Sequence, residues 1–187
     1  ESVALEETLG AFARLIEAGK VRTIGASNYS APRLAAALEV SAKHGLPRYE
    51  VLQPEYNLVA RKGYEAALEP LARREHIGVM PYYGLASGFL SGKYRSESDL
   101  AKSSVRGGAV KKFLNAEGFK VLAALDEVAA NHRATPAQIA LAWLIARPGI
   151  SAPIASATRV EHVRELAAAT RIALTAEDIA VLNASSD

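Results

Sequence analysis

The sequence predicts an α/β chain that is one half of an eight-stranded (β/α)8 TIM barrel, with four parallel strands, covering helices and extra helices. Three observations predict it. Helices that end at a glycine are followed at once by short apolar strands, near Val21, Tyr49 and Val79. Their spacing of roughly 30 residues is the length of one strand plus one covering helix. Polar residues gather just after each strand, where such barrels carry their active face. Each crossover is a helix, so the strands run parallel. A complete barrel takes about 250 residues, and this chain has 187. An open doubly wound sheet is the alternative, but no GxGxxG follows any strand.

Each element follows in order. Leu5, Leu9, Phe12 and Ile16 recur at helical spacing, and Gly19 closes that helix. The strand Val21 to Ala26 comes next. Ser30 opens a second helix with Pro32 in its first turn; Leu34, Ala37, Leu38 and Ser41 line it and Gly45 ends it. A strand around Tyr49 to Gln53 leads to a third helix carrying Leu68, Leu71 and Ala72, which ends near Gly78 before the strand Val79 to Tyr82. Glycines, serines and charges between about 84 and 112 mark a long functional loop rather than a core element. A helix through Phe119, Leu122, Leu125 and Val128 follows. TPAQ then opens a capped helix, with Thr135 as N-cap, Pro136 at the first helical position, Gln138 reaching back, and Trp143 in the core. The last strand lies within Ile150 to Ala155, and Val160, Val163 and Ala167 mark the helix after it. A closing helix of about 175–184 starts at Thr175 and carries Ile179 and Leu182.

Composition narrows the function. The chain is 19.8 kDa, half hydrophobic and 22% charged, which suits one folded domain over residues 1–187. It has no cysteine; disulfides and thiolate metal sites are excluded, and a cytoplasmic location is expected. A net charge of +2 is too small to suggest a polyanion partner. Lys102, Arg106, Lys111 and Lys112 have no interleaved aromatics, so a solvated loop is expected and no nucleic acid. The most apolar uncharged run, Ala134 to Ala146, is too short to cross a bilayer, so no membrane partner is expected. The chain opens close to the first turn of a helix, with no signal-peptide pattern.

The strand ends carry Ser27 and Asn28, then Gln53, then Tyr82 and Tyr83 with their glycine-rich loop, then Ser156 to Arg159. A buried strand that stops at Ser-Asn is also ordinary turn chemistry. No Ser/His/Asp arrangement, metal-spaced cluster or P-loop accompanies these groups. His44, His76 and His132 fall near helix C-termini, where surface histidines are favoured. A nicotinamide carboxamide has one acceptor and two donors, which Asn28, Gln53 and Ser27 can complement. Tyr82 offers a flat platform for its ring. Backbone N–H groups between Gly84 and Lys93 suit a pyrophosphate. Arg159 suits an adenosine 2′-phosphate at the start of a helix.

GKVRTIGASNYS, LQPEYNL, GVMPYYGLASGFLSGKY, TPAQIALAWLIARPG and SATRVEHVRE, in this order and spacing, resemble the aldo-keto reductases from about Leu5 onward. The resemblance implies a (β/α)8 barrel that reduces aldehydes and ketones with NADPH, less often NADH, and uses no metal. It implies Ser27, Asn28 and Gln53 on the carboxamide and Tyr82 against the ring. Tyr83, Gly84, Leu85, Gly88, Leu90 and Lys93 would belong to the loop over the pyrophosphate. Ser156, Thr158, Arg159, His162 and Glu165 match the adenosine end. Tyr83 and Gly84 stand where Ser-Pro is frequent, Thr158 where a lysine is common, and Leu166 where an asparagine often meets the adenine. The resemblance implies NADP as the cofactor, and the departures at Thr158 and Leu166 keep NAD as the alternative.

The family's catalytic Asp, Tyr, Lys and His belong to the first four strands, whereas the resemblance implies that this chain is the C-terminal half, from the helix after the fourth strand onward. No catalytic residue is expected in it, and Lys20, Tyr29 and Tyr56 do not occupy matching positions. The expectation is a fragment carrying the cofactor side of an enzyme for small carbonyl substrates, inactive alone. The missing N-terminal half, or a second copy, would cover open edges at Val21 and Ile150. Alternatives are a nicotinamide-binding regulatory subunit of the same fold and a self-associating half-barrel.

Overall fold

The computed structural model describes residues 3–102 and 106–186. Helix α1, Leu5–Glu17, ends where Gly19 enters the left-handed region at φ 66°. Strand β1, Ile24–Ser27, leads into α2, Ala31–His44, whose first turn is capped by the Ser30 side chain accepting from the Arg33 N–H. Gly45, at φ 64°, closes α2. Strand β2, Tyr49–Gln53, is followed by a short helix α3, Lys62–Glu65, then α4, Leu68–Arg74, and β3, Gly78–Val79. The three strands form one parallel sheet in the order β1-β2-β3. The register sets Ser27 beside Gln53, so the polar groups at the ends of β1 and β2 lie level.

Two expectations about this region change. The residue that leaves α4 in the left-handed region is His76, at φ 55°, not Gly78. Gly78 serves a different need, because a Cβ there would come within 2.7 Å of the Ser151 hydroxyl oxygen. The expected fourth strand is reduced to a parallel bridge between Val79 and Ile150. Val79 N–H donates to Gly149 O at 3.2 Å, Ser151 N–H to Val79 O at 2.8 Å, and Ile154 N–H to Pro81 O at 2.8 Å. The chain from 150 to 154 thus runs beside β3, but Pro81 and Pro153 lack the N–H that a continuous ladder needs. Tyr82 remains in register through its own bridge to Glu55 and an N–H bond to Pro54 O at 3.0 Å.

The segment from 84 to 112 is more ordered than its composition suggests. It contains 3-10 turns at Ala86–Ser91 and Glu97–Lys102, helix α5 at Gly107–Val110 and a 3-10 turn at Lys111–Phe113. Phe89, Leu90, Tyr94 and Val110 are fully buried, and Phe89 stacks on Phe113 at 5.3 Å. A few apolar side chains anchor this polar segment to the core. Ser103, Ser104 and Val105, which the expected basic loop included, lie outside the described residues.

Helix α6, Ala116–His132, and α7, Pro136–Ala146, carry the rest of the core, followed by α8, Val160–Ala169, and α9, Ala176–Ser185. The Thr135/Gln138 capping box forms, and Thr175 with Asp178 makes a second at α9. Helix α7 is apolar on all sides because α6, α8 and the turn at 86–91 all pack on it. His132 is not a plain surface histidine: its Nε2 lies 2.8 Å from Asp178 Oδ2, tying α6 to α9. Val160 and Val163, by contrast, expose 61% and 56% of their surface, so no described element covers that face of α8.

Candidate functional site

The ends of β1 and β2 and the residue beyond β3 meet in one hydrogen-bonded group. Ser27 Oγ donates to Gln53 O at 3.1 Å, and the Asn28 N–H reaches the same carbonyl at 3.4 Å. Asn28 takes φ 58°, a left-handed conformation asparagine tolerates better than most residues. Its Oδ1 accepts from the Tyr82 hydroxyl at 2.9 Å. The Gln53 amide makes no side-chain hydrogen bond among the described residues. Four of the sequence-predicted residues therefore converge. They present Asn28 Nδ2 as donor, the Ser27 lone pairs as acceptor, Gln53 as both, and the ring of Tyr82 between them.

The chain beyond Tyr82 is held by a residue that sequence reasoning did not single out. Asn57 is fully buried; its Nδ2 donates to Tyr83 O at 3.0 Å and its Oδ1 accepts from Val59 N–H at 2.9 Å. This bond supports Tyr83 in its left-handed conformation at φ 56°. The motif LQPEYNL contains Asn57, and a polar residue inside that apolar run was the available signal. Gly84 lets the chain lie against α7, since a Cβ there would meet Leu144 at 3.0 Å. Ala86, Ser87 and Gly88 then take successive positive φ values of 47°, 58° and 97°. Leu85 O accepts from the N–H groups of Gly88 at 2.8 Å and Leu90 at 3.2 Å, so these two amides are turned inward on their own turn. Lys93 Nζ sits 5.0 Å from the centre of the Tyr94 ring, and a Cβ on Gly88 would stand 3.6 Å from that ammonium.

The third group lies on the first turns of α8. Arg159, at the N-cap position, donates from Nη2 to His162 Nε2 at 3.1 Å. Ser156 and Thr158 are exposed just before it. Glu165 is partly committed elsewhere: its Oε1 accepts from Thr135 Oγ1 at 2.7 Å and its carbonyl from Gln138 Nε2 at 3.3 Å. It thus docks α8 on the capping box of α7, which also carries the turn at 86–91.

A second polar cluster, built on Arg61 and Glu65, sits behind the sheet. Glu65 Oε1 accepts from Arg61 Nε at 2.9 Å and from the Tyr56 hydroxyl at 2.6 Å, and Arg147 stands 3.3 Å away. Arg61 also donates to Asn183 O at 3.0 Å and Ser186 Oγ at 2.9 Å. Burial alone would raise the Glu65 carboxyl, but the hydrogen bonds from Arg61 and Tyr56 outweigh it and hold the group below its ordinary value. Tyr56 is pushed far above the ordinary phenol range, first by burial and then by its bond to Glu65. The i,i+4 spacing of Arg61 and Glu65 was the sequence signal for this pair. Beside it opens a cavity of about 560 Å³, between residues 55–63, the start of α6 and the end of α9. Its lining contains none of the strand-end residues. Arg61 is spent on the structural bonds above and Lys120 on Ala184 O at 2.7 Å, so the strand-end group is the candidate site.

The described residues thus place amides, a hydroxyl and an aromatic ring at the carboxyl ends of a parallel sheet, the edge at which such sheets carry their ligand sites. The chain belongs to the aldo/keto reductase family, whose sequence model matches residues 1–187. It is 31% identical over 179 residues to "Probable aldo-keto reductase 1" of Glycine max, covering 95% of this chain and 50% of that protein. It is also 31% identical over 169 residues to "Probable voltage-gated potassium channel subunit beta" of Arabidopsis thaliana, covering 88% of this chain and 51% of that one. Among solved structures, a thermostable aldo-keto reductase in complex with the inhibitor epalrestat superposes with a TM-score of 0.76 and 30% identity, covering 98% of this chain and 55% of the other. The chain spans about half the length of the curated relatives it matches.

Proposed function

We propose that this chain is the C-terminal half of a (β/α)8 barrel and the cofactor-holding side of an NAD(P)H-dependent oxidoreductase that reduces aldehydes or ketones to alcohols. The observation that carries the reading is the hydrogen-bonded set of Ser27, Asn28, Gln53 and Tyr82. Its donors and acceptors match the one acceptor and two donors of a nicotinamide carboxamide. When bound, the cofactor supplies a hydride to the carbonyl carbon. The residues here hold and orient it: Asn28 and Gln53 meet the carboxamide, Tyr82 lies against the ring, and the chain from Tyr83 to Lys93 covers the pyrophosphate. Arg159, with Ser156, Thr158, His162 and Glu165 around it, faces the adenosine end.

The proton for the carbonyl oxygen comes from outside this chain. The phenol bonded to the strand-end amide, Tyr82, is raised above its ordinary value, first by burial and then by the Glu55 carboxylate, and it already donates to Asn28. A group with its proton spent and its acidity reduced is a poor general acid. Turnover therefore needs the preceding half of the barrel. That half, or a second copy, also covers the edges left by β1 and the 150–154 segment and the exposed valines of α8. A cytoplasmic location accompanies this reading; among the described residues no helix is long and apolar enough to cross a membrane.

The cofactor assignment is tested in the full-length protein that contains this sequence. Arg159→Ala should weaken NADPH about tenfold or more while leaving NADH nearly unchanged, because only NADPH has the 2′-phosphate. Equal loss for both removes Arg159 from the site. A second reading is favoured by the Arabidopsis relative: a regulatory subunit that holds the same cofactor and reports redox state to a membrane partner. NADPH oxidation with a nitrobenzaldehyde separates the two, since only the enzyme consumes cofactor at a steady catalytic rate.

A further inference from the structure

We propose that the hydroxyl of Tyr82 is a positioning group that locks the Asn28 amide with its Nδ2 hydrogens toward the ligand. The inference rests on the cofactor reading above and assigns a role to an atom that reading leaves idle, since a ring platform needs no hydroxyl.

The geometry makes the contact unusual. Tyr82 follows β3, Asn28 follows β1, and β2 lies between them. Adjacent strands stand about 4.8 Å apart, so the Tyr82 and Asn28 side chains together bridge two strand spacings through their 2.9 Å bond. The ring consequently lies across the end of β2, where Gln53 terminates. Tyr83 supports it from one side, edge-to-face at 5.0 Å and 70°. One bond thus fixes two things, the plane of the ring and the orientation of the amide.

The amide orientation matters because asparagine presents an acceptor or a donor according to a simple flip. With Oδ1 turned toward the tyrosine proton, one of its two lone pairs is taken and both Nδ2 hydrogens are left as donors to a ligand. Asn28 then reads a carbonyl oxygen and disfavours a donor. The backbone around it is pinned as well: its N–H and the Ser27 hydroxyl both close on Gln53 O, and its φ of 58° places the side chain at the mouth. Burial raises the Tyr82 hydroxyl, so it stays protonated and able to donate throughout the neutral range.

The test is Tyr82→Phe, which keeps the ring and removes only the hydroxyl. In the full-length protein, dissociation constants are measured by fluorescence for NADPH and for its thionicotinamide analogue, whose sulfur is a poor acceptor. Wild type should prefer the carboxamide, and the variant should lose about three- to tenfold of that preference, the worth of one net hydrogen bond. A merely structural role would shift both ligands together and leave their ratio unchanged. Independently of any cofactor, ¹⁵N relaxation of the Asn28 side-chain amide should show it ordered in wild type and mobile in the variant. An unchanged ratio with an equally ordered amide overturns the positioning role while the cofactor reading stands. Failure of wild type to bind either NADPH or NADH overturns the cofactor reading and this inference with it.

Discussion

The chain has two polar clusters of similar richness, one built on Arg61, Glu65 and Arg147, the other on Ser27, Asn28, Gln53 and Tyr82, and they differ in what is left over. In the first, the Arg61 and Glu65 side chains are only 12% and 22% exposed, and their charges face one another. Arg61 and Arg147 also flank Trp143 at 5.8 and 5.5 Å, while the indole N–H bonds to Asn183 at 2.9 Å. The groups close on the protein itself and join α3, α7 and α9, except for Arg147 Nε, which is buried without a hydrogen-bond partner. In the second cluster, the bonds stop short: among the described residues the Gln53 amide and Asn28 Nδ2 make no side-chain hydrogen bond, and Ser27 and Asn28 are exposed. Charge and burial alone would point to the first cluster as the site. Unspent hydrogen-bonding capacity at strand ends points to the second.

Breaking the buried cluster should give the largest effect. Glu65→Ala removes the carboxylate shared by Arg61, Arg147 and the Tyr56 hydroxyl, and should cost about 3 kcal/mol of stability in urea unfolding, with cofactor affinity of the folded protein preserved. Trp143→Phe removes the indole bond to Asn183 and weakens the cation sandwich, for a loss of about 1 to 2 kcal/mol. Acid should sharpen the contrast further. Glu65 and Asp178 are both held below their ordinary values, by hydrogen bonds that outweigh burial: Arg61 and Tyr56 for the first, His132 and Thr175 for the second. Their contribution is whole above the unfolded carboxyl range and is lost as pH falls through the folded values. Stability followed from pH 7 to below about 4 should therefore drop more steeply in wild type than in Glu65→Gln. The smallest change is expected at the strand ends, where Asn28→Gly, which leaves the left-handed φ of 58° unstrained, should keep stability within about 1 kcal/mol.

Much of the architecture was legible because it rests on local signals. Gly19 and Gly45 end their helices in the left-handed region as read, and Thr135 with Gln138 makes the capping box that the TPAQ motif encodes. The strand-end residues of β1, β2 and β3 also converge, because parallel register and helical crossovers force them to one edge. What escaped was non-local. Phe89, Leu90, Tyr94 and Val110 reach the core from a segment whose average composition is polar. The last strand fails to form a full ladder because prolines interrupt its donors, although its apolar run suggests one. Arg61 bonds to Asn183 and Ser186, more than 120 residues away, a closure that no window of sequence displays. His132 was assigned to the surface because a histidine at a helix end usually is; its partner Asp178 lies 46 residues on.

The most direct test of the central claim, that ligand recognition resides at the strand ends and not in the buried cluster, is the NADPH dissociation constant of Asn28→Gly in the full-length protein. The account predicts a loss of about tenfold in a protein whose thermal midpoint stays close to wild type. Undiminished binding in a folded Asn28→Gly protein would contradict it.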